Sequence, residues 1–223
     1  YALTEDEYRL LCARGLEGVT LYMETYHRDT YRQVHLAGRK RDYQFRLDAI
    51  ERAGHAGARR LSIGALLGLH DWRPDVAWTA LHAAYLQKAC WQSAVSVSFP
   101  RLRHTPERFH IKFPIGDVEL VQTMLATRLF LPEVGFNLST REPAALRDRL
   151  IPLGVTHMSA GSSTRPGGYA THTRPEPSHH GERYVLEQFE IEDTRSPAEV
   201  VDAITRAGYD PVWKDFDRAF DAG

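Results

Sequence analysis

The chain has 223 residues, 43% of them hydrophobic, enough to bury a substantial core as one large domain or two small ones. Its 28 Lys and Arg against 29 Asp and Glu leave a net charge of −1, which gives no electrostatic case for a nucleic acid or an anionic membrane as partner. No apolar run reaches the roughly 20 residues a bilayer span needs, no signal peptide is visible, and two cysteines, Cys12 and Cys90, are too few for a disulfide framework or a metal knuckle; a reduced, cytoplasmic compartment is expected.

The first residues already cap a helix. Thr4 to Glu7 (TEDE) has the form of a capping box, in which the Thr4 hydroxyl accepts the Glu7 amide and Glu7 reaches back. Gly15 supplies the stop. A chain that opens on Tyr1 and a helix cap, rather than on Met, reads as a fragment beginning in mid-fold, with a natural start after processing as the alternative. GVTLYME (Gly18 to Glu24) is the first strand-like run. Phe45 to Gly57 reads as a helix rich in Ala, Arg and Leu and ended by Gly57, and RLSIGALLG (Arg60 to Gly68) is the second strand. Pro74 opens the next helix as its first residue, with Val76, Ala77, Ala80, Leu81 and Ala84 as its apolar stripe.

AVSVSFP (Ala94 to Pro100) is the third strand. Asp117 begins a helix with Val118, Val121, Leu125 and Leu129 inward, ended by Leu131-Pro132. VGFNLST (Val134 to Thr140) and GVTHMSAG (Gly154 to Gly161) are the last strands. All five runs are short, apolar and bounded by Gly or Pro, as buried parallel strands are. Thr171 to Glu187, with Pro175, Pro177 and His179-His180, reads as a mobile loop. In the C-terminal stretch 194–223, SPAE (Ser196 to Glu199) is a second capping box leading into Val200, Val201, Ile204 and a Gly208 stop. Alternating strands and helices indicate a parallel α/β fold. Five units without a Gly-rich dinucleotide fingerprint favour a barrel, or part of one, over a doubly wound sheet, with residues 1–223 as a single domain.

In a (β/α) barrel the chemistry collects at the C-terminal strand ends. Those ends carry Glu24, the stretch Gly64 to Gly68, Ser98 with Arg101, Ser139 with Arg141, and Ser159 to Ser162. Arg141 ends an apolar run among hydroxyls, where a fixed guanidinium can hold a carboxylate or phosphate by two parallel hydrogen bonds; the competing reading is a strand-end arginine paired with Glu142 or Asp148. Glu24 can accept both hydroxyls of a ribose or pair with Arg46 as scaffold. GALLG allows close approach of a flat ring, or marks a tightly packed strand. SAGSSTRPGG (Ser159 to Gly168) offers backbone amides to an anion, though ordinary turns share that composition. His179-His180 has no partner at ligand spacing and receives no metal role. His27, His35 and His157 read as structural, and Cys12 and Cys90 as small core residues.

METYHRDTYRQVHLAGRKRDYQFRLDAIERA, IGALLGLHDWR, VSFPRLR, LSTRE, RDRLIPLGVTHMSAGSSTRPGGY and GYDPVWKDFD follow one another from near Tyr1 to Asp217. Together they resemble the later two-thirds of the 2-iminoacetate synthases, the radical S-adenosylmethionine (SAM) tyrosine lyases of thiamine biosynthesis. The related tyrosine lyases of hydrogenase maturation share ETYH, GALLGL, SFPRL and STRE but continue into a cysteine-bearing domain, so the thiamine enzymes are the better match. The resemblance implies a partial TIM-type barrel of the radical SAM superfamily with its N-terminal strands missing. It also implies a [4Fe-4S] cluster that cleaves SAM to methionine and a 5′-deoxyadenosyl radical. The radical takes a hydrogen atom from tyrosine, and breakage of the Cα–Cβ bond gives p-cresol and 2-iminoacetate (dehydroglycine). Thiazole synthase would receive that product, and reduced flavodoxin or ferredoxin would supply the electron. By the same resemblance, Glu24 holds the SAM ribose and Arg46 the SAM carboxylate. Gly64, Ala65, Leu66 and Gly68 flank the adenine, Arg141 with Ser159 binds the tyrosine carboxylate, and Arg101 walls the same cavity.

The chain departs from the family's pattern in lacking CxxxCxxC. Cys12 and Cys90 cannot replace three converging thiolates, so the cluster ligands are expected outside this chain, the chain alone should be inactive, and an open sheet edge is left. Met23 stands where relatives often carry Gln. Three other readings remain: a non-catalytic remnant that docks thiazole synthase, a related radical SAM lyase for another aromatic amino acid, and an unrelated barrel binding phosphorylated substrates through SAGSSTRPGG.

Overall fold

The computed structural model describes residues 1–103, 111–163 and 191–213. The segment 171–187 with His179 and His180, and the tail from residue 214, lie outside the described residues. Five strands form one parallel sheet in chain order: β1 (Gly18–Thr20), β2 (Arg60–Gly64), β3 (Ala94–Ser98), β4 (Gly135–Leu138) and β5 (His157–Met158). Register places Leu61 between Val19 and Val95, Val97 beside Phe136, and Leu138 beside Met158. Backbone pairing continues past β1, where the Leu21 amide donates to Ser62 and the Met23 amide to Gly64 (2.9 and 3.0 Å), before Glu24 bridges Ala65. The predicted strands Gly18 to Glu24 and Arg60 to Gly68 are thus shorter as regular ladders, ending at Thr20 and Gly64, with isolated pairing continuing to Glu24 and Leu67.

Strand alternation sorts the side chains into two chemistries. Leu21, Met23, Leu61, Ile63, Val97 and Phe136 are buried in the apolar core. The opposite, concave face is polar: Asn137 Nδ2 donates to Ser62 Oγ (2.7 Å) and Ser96 Oγ (3.0 Å), and Ser98 Oγ donates to the Asn137 carbonyl (3.0 Å). Met23 thus belongs to the core, not to the polar face. The sheet is half of a (β/α) barrel, curved around a hydrogen-bonded polar layer.

The helices are α1 (Glu5–Cys12), α2 (Arg28–Val34), α3 (Tyr43–Leu47), α4 (Ala49–His55), α5 (Trp72–Ala89), α6 (Asp117–Phe130), α7 (Ala144–Leu150) and α8 (Pro197–Arg206). The capping boxes at Thr4 and Ser196 form as expected, and Gly57 and Gly208 take φ of 100° and 87°. Three expectations are corrected. The helix expected over Phe45 to Gly57 is two, because Arg52 Nη2 takes the Phe45 carbonyl (2.6 Å) at the break and Asp42 starts α3 early by capping the Phe45 amide (2.9 Å). α5 begins at Trp72, capped by Asp71, two residues before Pro74. Its core face is Trp72, Asp75, Thr79, Ala80, Ala83 and Leu86, while Ala77 and Leu81 are exposed.

α6 likewise turns Leu120, Thr123, Met124 and Thr127 inward, leaving Val118 and Leu129 77% and 83% exposed. In both helices a threonine bonds back to the carbonyl four residues earlier, Thr79 to Asp75 (2.7 Å) and Thr127 to Thr123 (2.8 Å). A satisfied hydroxyl can be buried, and the apolar count alone does not show which face that is. Among the described residues no helix is long and apolar enough to cross a membrane.

β2 and β3 approach closely at Gly64, where an added Cβ would run into the Ser98 carbonyl and sit 3.1 Å from the Tyr22 ring. Gly64→Ala should therefore lower stability by about 1–3 kcal/mol in urea unfolding; an unchanged midpoint would contradict this strand packing.

Candidate functional site

At the C-terminal end of β1 the chain leaves the sheet through Glu24, which has φ of 68° and is the one non-glycine residue at positive φ among the described residues. A left-handed residue with a Cβ costs about 1–3 kcal/mol and persists only where its surroundings impose it. The conformation places the Glu24 carboxylate between two cations: Oε1 accepts from Lys40 Nζ at 3.1 Å and from Arg46 Nη2 at 3.4 Å. Lys40 comes from the single helical turn Arg39–Arg41, whose backbone is fastened when the Tyr31 hydroxyl donates to the Lys40 carbonyl (2.5 Å). Arg46 comes from α3, is 4% exposed, and also donates through Nε to the Tyr22 carbonyl (2.8 Å). The scaffold pairing considered for Glu24 and Arg46 is thus formed, and it leaves the carboxylate 22% exposed at the rim.

Arg141 belongs to the same rim. Burial lowers its pKa, and the groups that pull it back up are Glu24 first, then Tyr22 and Glu142. Tyr22, two residues before Glu24 and on its face of the strand, is raised by burial while hydrogen bonding to Ser98, the charge of Arg141 and bonding to Ser62 lower it. Glu24 with its partner Arg46, Tyr22 and Arg141 therefore lie within reach of one another's charge at the strand ends. Tyr22 was not visible as a site residue, since it sits inside an apolar run; only period-two alternation from Glu24 would have pointed to it.

The other candidates fall into different positions. Gly64 lies beneath Tyr22 in the hollow, Leu66 is half-buried, and Ala65 has its side chain in the core. Gly68 needs its φ of 111°, and a Cβ there would press on Leu102 at 3.2 Å. Arg101 is a buried strut: Nε and Nη2 grip both oxygens of Glu142, the first at 2.9 Å, while Nη1 pairs with Asp117 at 2.8 Å. Arg103 adds a further contact to Glu142 at 3.1 Å. Glu142 is gripped by Arg101 and also acts on Arg141 by its charge, while Asp148 pairs with Arg195 (2.9 Å). Ser159 is exposed, its amide donating to Leu138 (3.0 Å) and its carbonyl accepting from Arg147.

Arg147 also pairs with Asp193, both fully buried, and the Glu192 and Asp193 amides both donate to the Thr140 carbonyl at 3.0 Å. Residues 192–193 thereby lock the ends of β4 and β5 next to Arg141. His27 caps α2, His35 bonds the Tyr31 carbonyl (3.0 Å) and His157 meets Thr156 (2.8 Å), so these are structural histidines. Cys90 is buried and Cys12 half-buried. Among the described residues no cluster of His, Cys, Asp or Glu could hold a metal ion.

A larger depression, about 610 Å³, lies on the outer side between α3–α4 and α5, lined by Tyr43, Glu51, Asp75, Trp78 and His82 among others. None of Glu24, Arg46 and Arg141 lines it, and of its carboxylates Glu51 accepts from the Tyr85 hydroxyl (2.7 Å) while Asp75 accepts from Thr25 and Tyr26 through one oxygen. Size alone does not make it the site of chemistry; the charged hollow at the strand ends is the better candidate.

Known proteins share this sequence and fold. Residues 98–210 match the Biotin and Thiamin Synthesis associated domain. Over 216 residues the chain is 46% identical to the 2-iminoacetate synthase of Escherichia coli (strain K12), covering 96% of this chain and 55% of that protein. The 2-iminoacetate synthase of Salmonella typhimurium (strain LT2) is 44% identical, again over 96% of this chain and 55% of that protein. The chain thus spans about half the length of the curated relatives it matches. The fold superposes on HydG, a maturase of the [FeFe]-hydrogenase, with a TM-score of 0.82 and 32% identity, covering 96% of this chain and 45% of that one.

The lock beside Arg141 is acid-sensitive. Burial would raise the Asp193 carboxyl, but its bonds to Arg195 and Arg147 outweigh this and pull it from 3.8 down to about 2. A lowered folded-state pKa means stabilisation that is complete above the ordinary value and lost as pH falls through the folded one. Asp193→Asn should therefore cost about 3–5 kcal/mol near neutrality, and the gap to the unsubstituted protein should narrow by about 2 kcal/mol as pH falls from 3.8 to about 2. A gap that stays constant across that window would contradict the ion-pair reading.

Proposed function

The chain belongs to the family of the Biotin and Thiamin Synthesis associated domain, and from that premise we propose that it forms the SAM- and tyrosine-binding part of a 2-iminoacetate synthase, a radical SAM carbon–carbon lyase. The observation that supports this reading is the pair of opposite charges at the ends of two different strands, Glu24 after β1 and Arg141 after β4, close enough to act on each other. One polar wall suits a nucleoside and the other an amino-acid carboxylate.

The donor set fits SAM. Glu24 Oε1 already holds Lys40 and Arg46, which aim the carboxylate and leave its second oxygen to ribose hydroxyls. Arg46, anchored on the Tyr22 carbonyl, presents positive charge to the carboxylate of the methionine portion. Gly64 and Gly68 keep the wall for the adenine low. SAM, when bound, would supply the hydrogen-abstracting radical. A [4Fe-4S] cluster does not fit this chain, whose two cysteines are half-buried and buried, so its ligands are assigned to the remainder of a complete enzyme and no step is routed through it here.

The chain's own residues orient and neutralise. Arg141 would take the tyrosine carboxylate in a partly desolvated setting where a charge-assisted pair is strong, with Ser159 at the neighbouring strand end. Arg101, tied to Glu142 and Asp117, would act by holding the loop that follows β3 rather than by touching substrate. The hollow would exclude water from the cleaved bond while p-cresol and 2-iminoacetate separate. On kinship alone the reading extends to thiazole synthase as recipient, to reduced flavodoxin or ferredoxin as electron source, and to a cytoplasmic setting.

The test is anaerobic reconstitution of the complete protein with iron and sulfide, followed by tyrosine-dependent p-cresol formation. Arg141→Met should weaken tyrosine binding at least tenfold, since losing a buried charged partner costs about 2–5 kcal/mol, with much less effect on SAM cleavage in the absence of tyrosine. Glu24→Ala should weaken SAM binding rather than tyrosine binding. The reverse ordering, or p-cresol formation indifferent to both changes, would overturn the assignment.

A further inference from the structure

We propose that Asp75, on α5, is the positioning residue that forces Glu24 into its left-handed conformation and so sets where the Glu24 carboxylate points. The inference deepens the assignment of Glu24 to the adenosyl group and rests on it. Asp75 is 1% exposed and is not part of the hollow. Its Oδ1 accepts two hydrogen bonds from the residues directly after Glu24, one from the Thr25 hydroxyl at 3.1 Å and one from the Tyr26 amide at 2.7 Å. Thr25, fully buried, passes the restraint on by accepting the His27 amide at 3.1 Å. The Tyr43 hydroxyl closes the same segment from α3 by donating to the Tyr26 carbonyl at 3.0 Å.

On the other side of Glu24 the backbone is fixed by the sheet. The Met23 amide donates to Gly64 at 3.0 Å, and the Leu66 amide donates to the Glu24 carbonyl at 2.8 Å. Glu24 is therefore the last residue held by the sheet, Thr25 and Tyr26 are the first held by the α5 carboxylate, and the change of direction between the two clamps falls on Glu24 and Thr25. Sheet pairing alone leaves a residue with a Cβ at negative φ. With the second clamp gone, Glu24 relaxes there, and its Cβ swings the carboxylate away from Lys40 and Arg46.

Asp75 Oδ2 has no hydrogen-bond partner, so only one oxygen of the carboxylate is used by the clamp. An amide oxygen can make the same two acceptor bonds, which separates the positioning role from any need for charge. A residue that merely stabilised the fold would affect both ligands alike.

The experiment uses the complete protein carrying Asp75→Ala or Asp75→Asn, with S-adenosylhomocysteine and tyrosine as calorimetric probes and a crystal structure of the alanine variant. The expected result for Asp75→Ala is S-adenosylhomocysteine binding weakened at least about tenfold, the scale of loss that small misplacements cause. Tyrosine affinity should stay within about twofold, and Glu24 should sit at negative φ in the crystal. Asp75→Asn should restore nucleoside binding to within about threefold. Should Asp75→Ala fail to fold, Thr25→Val, which removes one of the two bonds at similar volume, takes its place with the same readouts.

Unchanged nucleoside affinity, equal loss of both ligands, an asparagine variant no better than alanine, or Glu24 still at positive φ would each overturn the inference. If the unsubstituted protein does not bind S-adenosylhomocysteine while Asp75→Ala still moves Glu24 to negative φ, the positioning stands and the ligand assignment of Glu24 falls.

Discussion

Burying a guanidinium is costly unless a carboxylate or carbonyl meets it, and at the rim this requirement fixes the loops that carry the candidate site. Arg101 joins the loop after β3 to Glu142, which follows Arg141 in sequence, and to Asp117 at the start of α6. Arg147 joins α7 to Asp193 and to the end of β5. Arg46 joins α3 to the end of β1. Each link ties a strand end to a neighbouring helix or strand end, so the rim is braced by buried guanidinium groups where the apolar core stops. Removing one partner leaves the other charged and buried, which is why these residues matter although only Arg46 is assigned to a ligand directly.

Beneath that rim the sheet separates two environments by alternation alone. Its convex side supplies the apolar packing against the helices, and its concave side is a hydrogen-bonded layer of Ser62, Ser96, Ser98 and Asn137. The concave layer leads upward to Tyr22, Glu24 and Arg141. A polar lining satisfied within itself leaves the protruding charges at the strand ends as the features a ligand would meet. The position of Glu24 is the most constrained of these, at a left-handed residue clamped from both sides.

Much of this was legible in the sequence. Short apolar runs bounded by Gly or Pro identified all five strands, because parallel strands packed by helices need little else. Glu24 and Arg141 stood out as charges ending such runs. The helix faces were legible only in part, Val76, Ala80, Ala84, Val121 and Val200 lying on or against the core as expected. Counting apolar residues turned α6 by its Val118–Leu129 stripe, whereas Thr123 and Thr127 are buried, the Thr127 hydroxyl satisfied by the Thr123 carbonyl of the same helix. α5 likewise buries Asp75, whose partners Thr25 and Tyr26 are 50 and 49 residues away. Arg101 looked like a cavity wall because its partner Glu142 lies 41 residues downstream. Tyr22 carries no sign of its role until Ser98 and Arg141 are brought against it.

The central claim is that one hollow at the strand ends receives a nucleoside on the Glu24 side and an amino-acid carboxylate on the Arg141 side. The most direct measurement is a crystal structure of the complete protein soaked with S-adenosylhomocysteine and tyrosine together. The account predicts ribose hydroxyls within hydrogen-bond distance of Glu24 and the tyrosine carboxylate on Arg141. Either ligand seated instead in the outer groove between α4 and α5, or bound with Glu24 and Arg141 both uncontacted, would contradict it.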